Sequence, residues 1–166
     1  MNILILLLFG LNSYFHNPGS SEITVYVIIA EECPICNYMG KPLSKIADEY
    51  KERVKFIAVF PLKNSNYKTI HLFKLKYGLE AYESLLDSDQ QITKKLGASV
   101  TPEVIITRGD TEILYRGRIN DSYYAPGKVK HRSRSNDLKS ALDNIFSGID
   151  VNKPWAPAVG CYITLI

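Results

Sequence analysis

The sequence predicts a single α/β domain in which a central mixed sheet is flanked by helices. An apolar β-branched run, a helical repeat and a second apolar run follow one another early in the chain. That order makes a strand–helix–strand unit, whose two strands run parallel with a right-handed crossover. Further on, two strand-like runs meet at a tight turn, which adds an antiparallel hairpin. The chain has 166 residues, enough for one sizeable core and hardly for two.

The first segment, Met1 to Leu11 (MNILILLLFGL), is almost wholly apolar and gives way to a polar stretch from Asn12 to Ser21. A membrane span takes about 20 apolar residues. The run is shorter than that, so residues 1–21 are expected to be a signal peptide and the protein to work outside the cytoplasm, periplasmic or secreted. No Lys or Arg precedes the run and no A-x-A site follows it, so a buried first strand or helix is the competing expectation. Contact with a membrane is expected only if the segment is retained. An exported chain meets oxidising conditions, and its three cysteines leave one outside any pair.

Ile23 to Ala30 (ITVYVIIA) has the β-branched and aromatic composition of a buried strand. Beyond it Leu43, Ile46, Ala47 and Tyr50 recur at helical spacing and line one face. Cys33-Pro34-Ile35-Cys36 therefore sits at a strand-to-helix turn. Pro34 suits the first helical position, where a missing N–H leaves nothing unpaired. The free N–H groups of a helix start carry partial positive charge and favour a thiolate, so Cys33 is the expected attacking sulfur. Cys36 falls on the same side of the first turn, within reach of a disulfide to Cys33. The acidic pair Glu31-Glu32 opposes the Cys33 thiolate. Glu32 reads either as a solvated turn acid or as a proton carrier for Cys36.

Val54 to Phe60 is a second buried strand, closed by Pro61 and a polar loop from Lys63 to Asn66. Tyr67 to Tyr77 is a helix with Gly78 as its stop, and His71 falls on its surface. Tyr82 to Leu86 is a short strand, and Asp89 to Leu96 a short helix capped from Asp87 to Asp89 and ended by Gly97. Val100-Thr101-Pro102 leads into Glu103 to Thr107, which Arg108-Gly109-Asp110-Thr111 joins to Glu112 to Tyr115. An X-Pro bond such as Thr101-Pro102 is the one place where a cis peptide is cheap. Asn120 to Arg134 reads as a loop whose basic run, Lys128, Lys130, His131, Arg132 and Arg134, is either a solvated face or a docking surface for an acidic partner. Asn136 or Asp137 caps a last helix carrying Leu138, Ala141, Leu142, Ile145 and Phe146. The domain thus spans 22–148, and 149–166 is an irregular tail ending in Gly160-Cys161-Tyr162-Ile163.

This order, with Thr-Pro before the hairpin, resembles the thioredoxin fold. Cys33-Pro34-Ile35-Cys36, Leu96-Gly97-Ala98-Ser99-Val100-Thr101-Pro102-Glu103, Tyr115-Arg116-Gly117-Arg118-Ile119-Asn120-Asp121 and the Gly160-Cys161-Tyr162-Ile163 ending are similar to phrases of the bacterial thioredoxin-like redoxins, relatives of the alkyl hydroperoxide reductases. The resemblance implies a thiol-disulfide oxidoreductase without cofactor or metal, acting on protein thiols or disulfides and reset by a redox partner protein. It implies that Cys33 attacks, that Cys36 resolves, and that Thr101, Pro102, Pro34 and Ile35 border the substrate. Thioredoxins have a tryptophan just before the first cysteine and a buried aspartate six residues before it, where this chain has Glu32 and Val27. Cys161 reads either as a small apolar anchor for the tail or as an accessory sulfur that folds back towards Cys33.

Other classes fit less of the chain. A net charge of +3 is far from the dense basic face of a nucleic-acid binder. Structural zinc needs a second ligand pair, and only Cys161 and three scattered histidines remain. A copper metallochaperone is the first alternative, since two close thiolates suit Cu(I), although such chaperones resemble one another in C-x-x-x-C plus a histidine. A thiol peroxidase is the second, but its P-x-x-x-T-x-x-C pattern falls here on Tyr26, Ala30 and Cys33.

Overall fold

The computed structural model describes residues 22–109 and 112–166, so the expected signal peptide at 1–21 and part of the hairpin turn lie outside the described residues. Strand β1 (Ile23–Ile28) leads to helix α1 (Pro34–Tyr50), then β2 (Lys55–Phe60), α2 (Tyr67–Tyr77), β3 (Glu83–Leu86) and α3 (Gln91–Leu96). The two-residue β4 (Val100–Thr101) precedes β5 (Glu103–Arg108) and β6 (Glu112–Gly117). After these come β7 (Tyr123–Ala125), β8 (Lys128–Val129), α4 (Asp137–Phe146) and β9 (Cys161–Tyr162).

Five strands form the main sheet in the order β3-β2-β1-β5-β6. β1, β2 and β3 run parallel, whereas β5 is antiparallel to β1 and β6 to β5. The sheet is mixed because the early crossovers are helical and the late connection is a hairpin. Central β1 is covered on both faces, which is why its sequence is a continuous apolar run rather than an alternating one. Val25 and Val27 face the larger core with Leu43 of α1, Phe73 of α2 and Leu142 of α4. Ile28 faces a smaller core with Ile57, Ile105, Leu96, Ala98 and Ile163. The chain's end thus closes the second face of the sheet.

Most helix signals act as the sequence implies. Gly78 ends α2 in the left-handed conformation as expected, while Asn66, read in the sequence only as the end of a polar loop, accepts N–H bonds from Lys68 and Thr69 and completes a capping box. Asp87 accepts from the N–H groups of Ile92 and Thr93 at the start of α3. The Asn136 side chain, by contrast, makes no cap bond at α4, and Asp137 instead receives the Arg118 guanidinium at 2.9 Å. His71 is exposed.

Two expectations are corrected. The 120–134 segment is not simply a loop: β7 and β8 pair around Pro126-Gly127. The tail is not wholly irregular either, because β9 pairs antiparallel with β4, Thr101 opposite Cys161 and Val100 opposite Tyr162. Both elements are too short for periodicity to register, and both are held by neighbours distant in sequence.

Helices α1 and α2 approach where Gly40 meets Tyr77. A Cβ built on Gly40 would lie 2.4 Å from Tyr77 Cγ. Gly40→Ala therefore overpacks this contact and is expected to lower stability by about 1–3 kcal/mol, measured as a reduced midpoint of urea unfolding.

Candidate active site

Cys33 is the residue from which α1 starts, in extended conformation with φ −77° and ψ 118°, and Pro34 opens the helix. The turn is pinned by Asn37, whose Nδ2 donates to the carbonyls of Glu31 and Cys33 at 3.0 Å each. Tyr77 of α2 donates its hydroxyl to Asn37 Oδ1, so a second helix fixes the turn. Sequence periodicity offered no signal for Asn37, because its polar amide bonds to main chain rather than packing in a core.

The loop that faces Cys33 is Thr101-Pro102, joined by a cis peptide bond. Cys33 Sγ lies 3.1 Å from the Thr101 carbonyl oxygen, and only 3% of Cys33 is exposed. This loop is held from behind. Buried Glu103 accepts the Ser99 N–H at 3.0 Å and pairs with Arg116 at 3.4 Å, and Arg116 also donates to the Gly97 carbonyl at 2.8 Å and to that of Leu96.

The sulfurs are arranged differently from the expected couple. Cys33 is disulfide-bonded to Cys161, across 128 positions and a Cα–Cα distance of 6.2 Å. Cys36 is the free, buried cysteine. The expectation of a Cys33–Cys36 disulfide is corrected in this state: Cys36 is buried in the core, while the pairing of β9 with β4 brings Cys161 within bonding distance of Cys33. The Ala30 N–H donates to Cys36 Sγ at 3.4 Å. Burial pushes the Cys36 thiol up from its usual 9.0 to about 12, against the opposing pull of the Ala30 N–H and the Thr101 hydroxyl, with the Glu31 carboxylate adding to the rise.

The remaining candidates divide between this centre and its surroundings. Thr101 and Pro102 are buried, with the Thr101 carbonyl against Cys33 Sγ, while Pro34 is exposed and Ile35 is buried. Pro34 and Ile35 line an open groove of about 310 Å3 with Tyr123, Pro126, Gly127, Gly160, Cys161 and Tyr162. Glu32 is exposed, and its carboxylate accepts from the Asn64 amide. Glu31 accepts from the hydroxyls of Ser65 and Thr69 at 2.7 Å each. Both acids are thus engaged by the loop between β2 and α2. Lys130 of the basic run pairs with Asp121 at 2.5 Å, while His131, Arg132 and Arg134 are exposed. Among the described residues, no group of three or more His, Cys, Asp or Glu side chains is placed to hold a metal ion, and no helix is long and apolar enough to cross a membrane.

This architecture is the thioredoxin-like fold. A hypothetical protein from Sinorhizobium meliloti is similar over 89% of this chain and 81% of its own, with 23% identity and a TM-score of 0.76. An uncharacterized conserved protein from Geobacillus kaustophilus also has 23% identity and a TM-score of 0.76, over 89% and 79% of the two chains. A secreted disulfide oxidoreductase of Mycobacterium tuberculosis, homologous to DsbE of E. coli, is similar over 75% of this chain and 82% of its own, with 19% identity and a TM-score of 0.56. No protein-family model matches the chain, and no curated protein matches it.

The raised Cys36 thiol sets a pH dependence. In the unfolded chain the thiol ionises around 9.0, whereas in the folded protein it stays protonated to about 12. Burial of the neutral thiol therefore stabilises the fold fully below pH 9.0, and this contribution is lost as the pH rises from there towards 12. Replacement by Cys36→Ala is expected to remove about 1 kcal/mol of the stability loss between pH 8 and 10, read by urea denaturation at each pH. Native wild type should also leave Cys36 unalkylated by iodoacetamide over this range, with reaction only after unfolding.

Proposed function

We propose that the chain is an extracytoplasmic thiol-disulfide oxidoreductase that exchanges disulfides with protein substrates through Cys33 and is reset by a redox partner protein. The observation that carries this reading is the placement of Cys33. It stands at the start of a 17-residue helix, beneath the Thr101-Pro102 loop, and already holds an exchangeable disulfide to a cysteine on another element. The helix start favours negative charge on the Cys33 sulfur when the bond opens, which makes it a good nucleophile and a good leaving group.

Cys36 is the second sulfur of the Cys33-Pro34-Ile35-Cys36 motif. Its burial disfavours the thiolate that exchange requires, so the couple supported by the geometry is Cys33 with Cys161. Thr101 and Pro102 form the inner wall of the substrate site, and Pro34 and Ile35 its outer edge. Glu32, engaged with Asn64, is a solvated turn acid in this reading.

Export is supported by the apolar run from Met1 to Leu11, and one structural neighbour is itself a secreted disulfide oxidoreductase. The exported protein is expected to begin after Ser21, and its intact mass decides this; a mass that includes Met1 shows a retained segment. For the activity, insulin disulfides are the probe and dithiothreitol the reductant. Wild type is expected to accelerate reduction and Cys33→Ser to fall to the uncatalysed background. A Cys33→Ser variant as fast as wild type overturns the reading.

A further inference from the structure

Exchange at a disulfide occurs at the sulfur an incoming thiolate can reach, and the better leaving group departs. The two cysteines here differ in access. Cys33 is 3% exposed, with Sγ against the Thr101 carbonyl oxygen. Cys161 is half-buried and forms part of the wall of the groove beside Pro34, Ile35 and Tyr123, a groove that Cys33 does not line. Its neighbour Tyr162 is 84% exposed. The strand that presents Cys161 is firmly seated. The Ile163 N–H donates to the Ser99 carbonyl at 3.0 Å, and the Gln90 amide donates to the Thr164 carbonyl at 3.0 Å while accepting the Ile166 N–H at 3.0 Å.

We propose that Cys161 is a catalytic relay sulfur: it, and not Cys33, takes the attack of the outside thiol at the groove and passes the disulfide to or from Cys33. The proposal rests on the oxidoreductase reading above and assigns the role of each sulfur. In the first step a partner thiolate bonds to Cys161 Sγ, the Cys33–Cys161 bond breaks, and Cys33 leaves as a thiolate at the start of α1. In the second, another thiolate of the same partner attacks the partner sulfur of this mixed disulfide and Cys161 is released. The protons given up by the two partner thiols are taken up by Cys33 and Cys161. The partner dithiol is oxidised to a disulfide and the Cys33–Cys161 couple is reduced by the same two electrons. Run in reverse, the couple reduces a partner disulfide. Because both steps take place at the groove, the buried Cys33 exchanges without leaving the Thr101-Pro102 loop.

The test uses the oxidised wild-type protein and reduced glutathione, quenched within seconds in acidic denaturant, alkylated in the unfolded state with N-ethylmaleimide and mapped by peptide mass spectrometry. The expected product carries glutathione on Cys161 and maleimide on Cys33, in excess of the converse product by about tenfold or more. Glutathione on Cys33 with maleimide on Cys161 overturns the relay. In parallel, the same protein is assayed for glutathione-driven reduction of insulin disulfides. Insulin turnover with the adduct on Cys33, or with no adduct on Cys161, overturns the relay and leaves the oxidoreductase reading standing. Neither turnover nor adduct overturns both, and the bond is then a static tie for the tail.

Discussion

The arrangement depends on one close approach of backbone to backbone, between Gly160 and Thr101. A Cβ at residue 160 would lie 2.3 Å from the Thr101 carbonyl oxygen and 2.6 Å from its carbon. Only glycine lets the tail come this near. That approach sets the register of β9 on β4, and the register places Cys161 opposite Thr101. The same Thr101 carbonyl lies against Cys33 Sγ. One main-chain unit therefore contacts both the strand that carries one sulfur and the second sulfur itself, so the geometry of the disulfide is inherited from the sheet edge. The tail also delivers Ile163 into the smaller core, which ties the position of Cys161 to hydrophobic packing on the far face of the sheet.

The three cysteines have distinct environments, set by burial and by position along α1. Cys36 lies inside the larger core, where desolvation holds it as a neutral thiol. Cys33 is also buried but sits at the start of α1, the end of a helix that carries partial positive charge. Cys161 borders a groove open to solvent. Negative charge becomes harder to hold as a sulfur is moved from the groove into the core, and Cys36 is the least suited of the three to carry it. A short helical spacing between two cysteines brings their sulfurs close; it does not make their environments equal.

The frame of the molecule was legible in the sequence because each signal was local. The Ile23 to Ala30 run reads as a buried strand, the Leu43-Ile46-Ala47-Tyr50 face is buried as its spacing implies, and Gly78 ends α2. What was not legible depends on distant partners. Tyr123–Ala125 and Lys128–Val129 are three and two residues long, and a basic setting masked the Pro126-Gly127 turn between them. The Cys33–Cys161 bond spans nearly the whole described chain, and the sequence offered it only as one of two readings of Cys161, an accessory sulfur folding back towards Cys33, because no local spacing connects positions so far apart. The odd number of cysteines left one sulfur over without saying which. Asn37 and Tyr77, which fix the Cys33 turn, lie on different helices and gave no pattern that one helix could display.

The Thr101-Pro102 loop is held by contacts that do not depend on the Cys33–Cys161 bond. Glu103 and Arg116 anchor the chain on either side through the Ser99 N–H and the Gly97 carbonyl, and β5 continues directly from the loop into the middle of the sheet. The tail has its own attachments, through Ile163 to Ser99 and through Gln90 to Thr164 and Ile166. Opening the Cys33–Cys161 bond therefore removes one tie among several and leaves both sulfurs on elements that are held separately. Re-forming the bond then requires little reordering of the chain, since the entropy of bringing residues 33 and 161 together has already been met by the fold. A disulfide whose two halves remain close after it breaks is suited to repeated exchange.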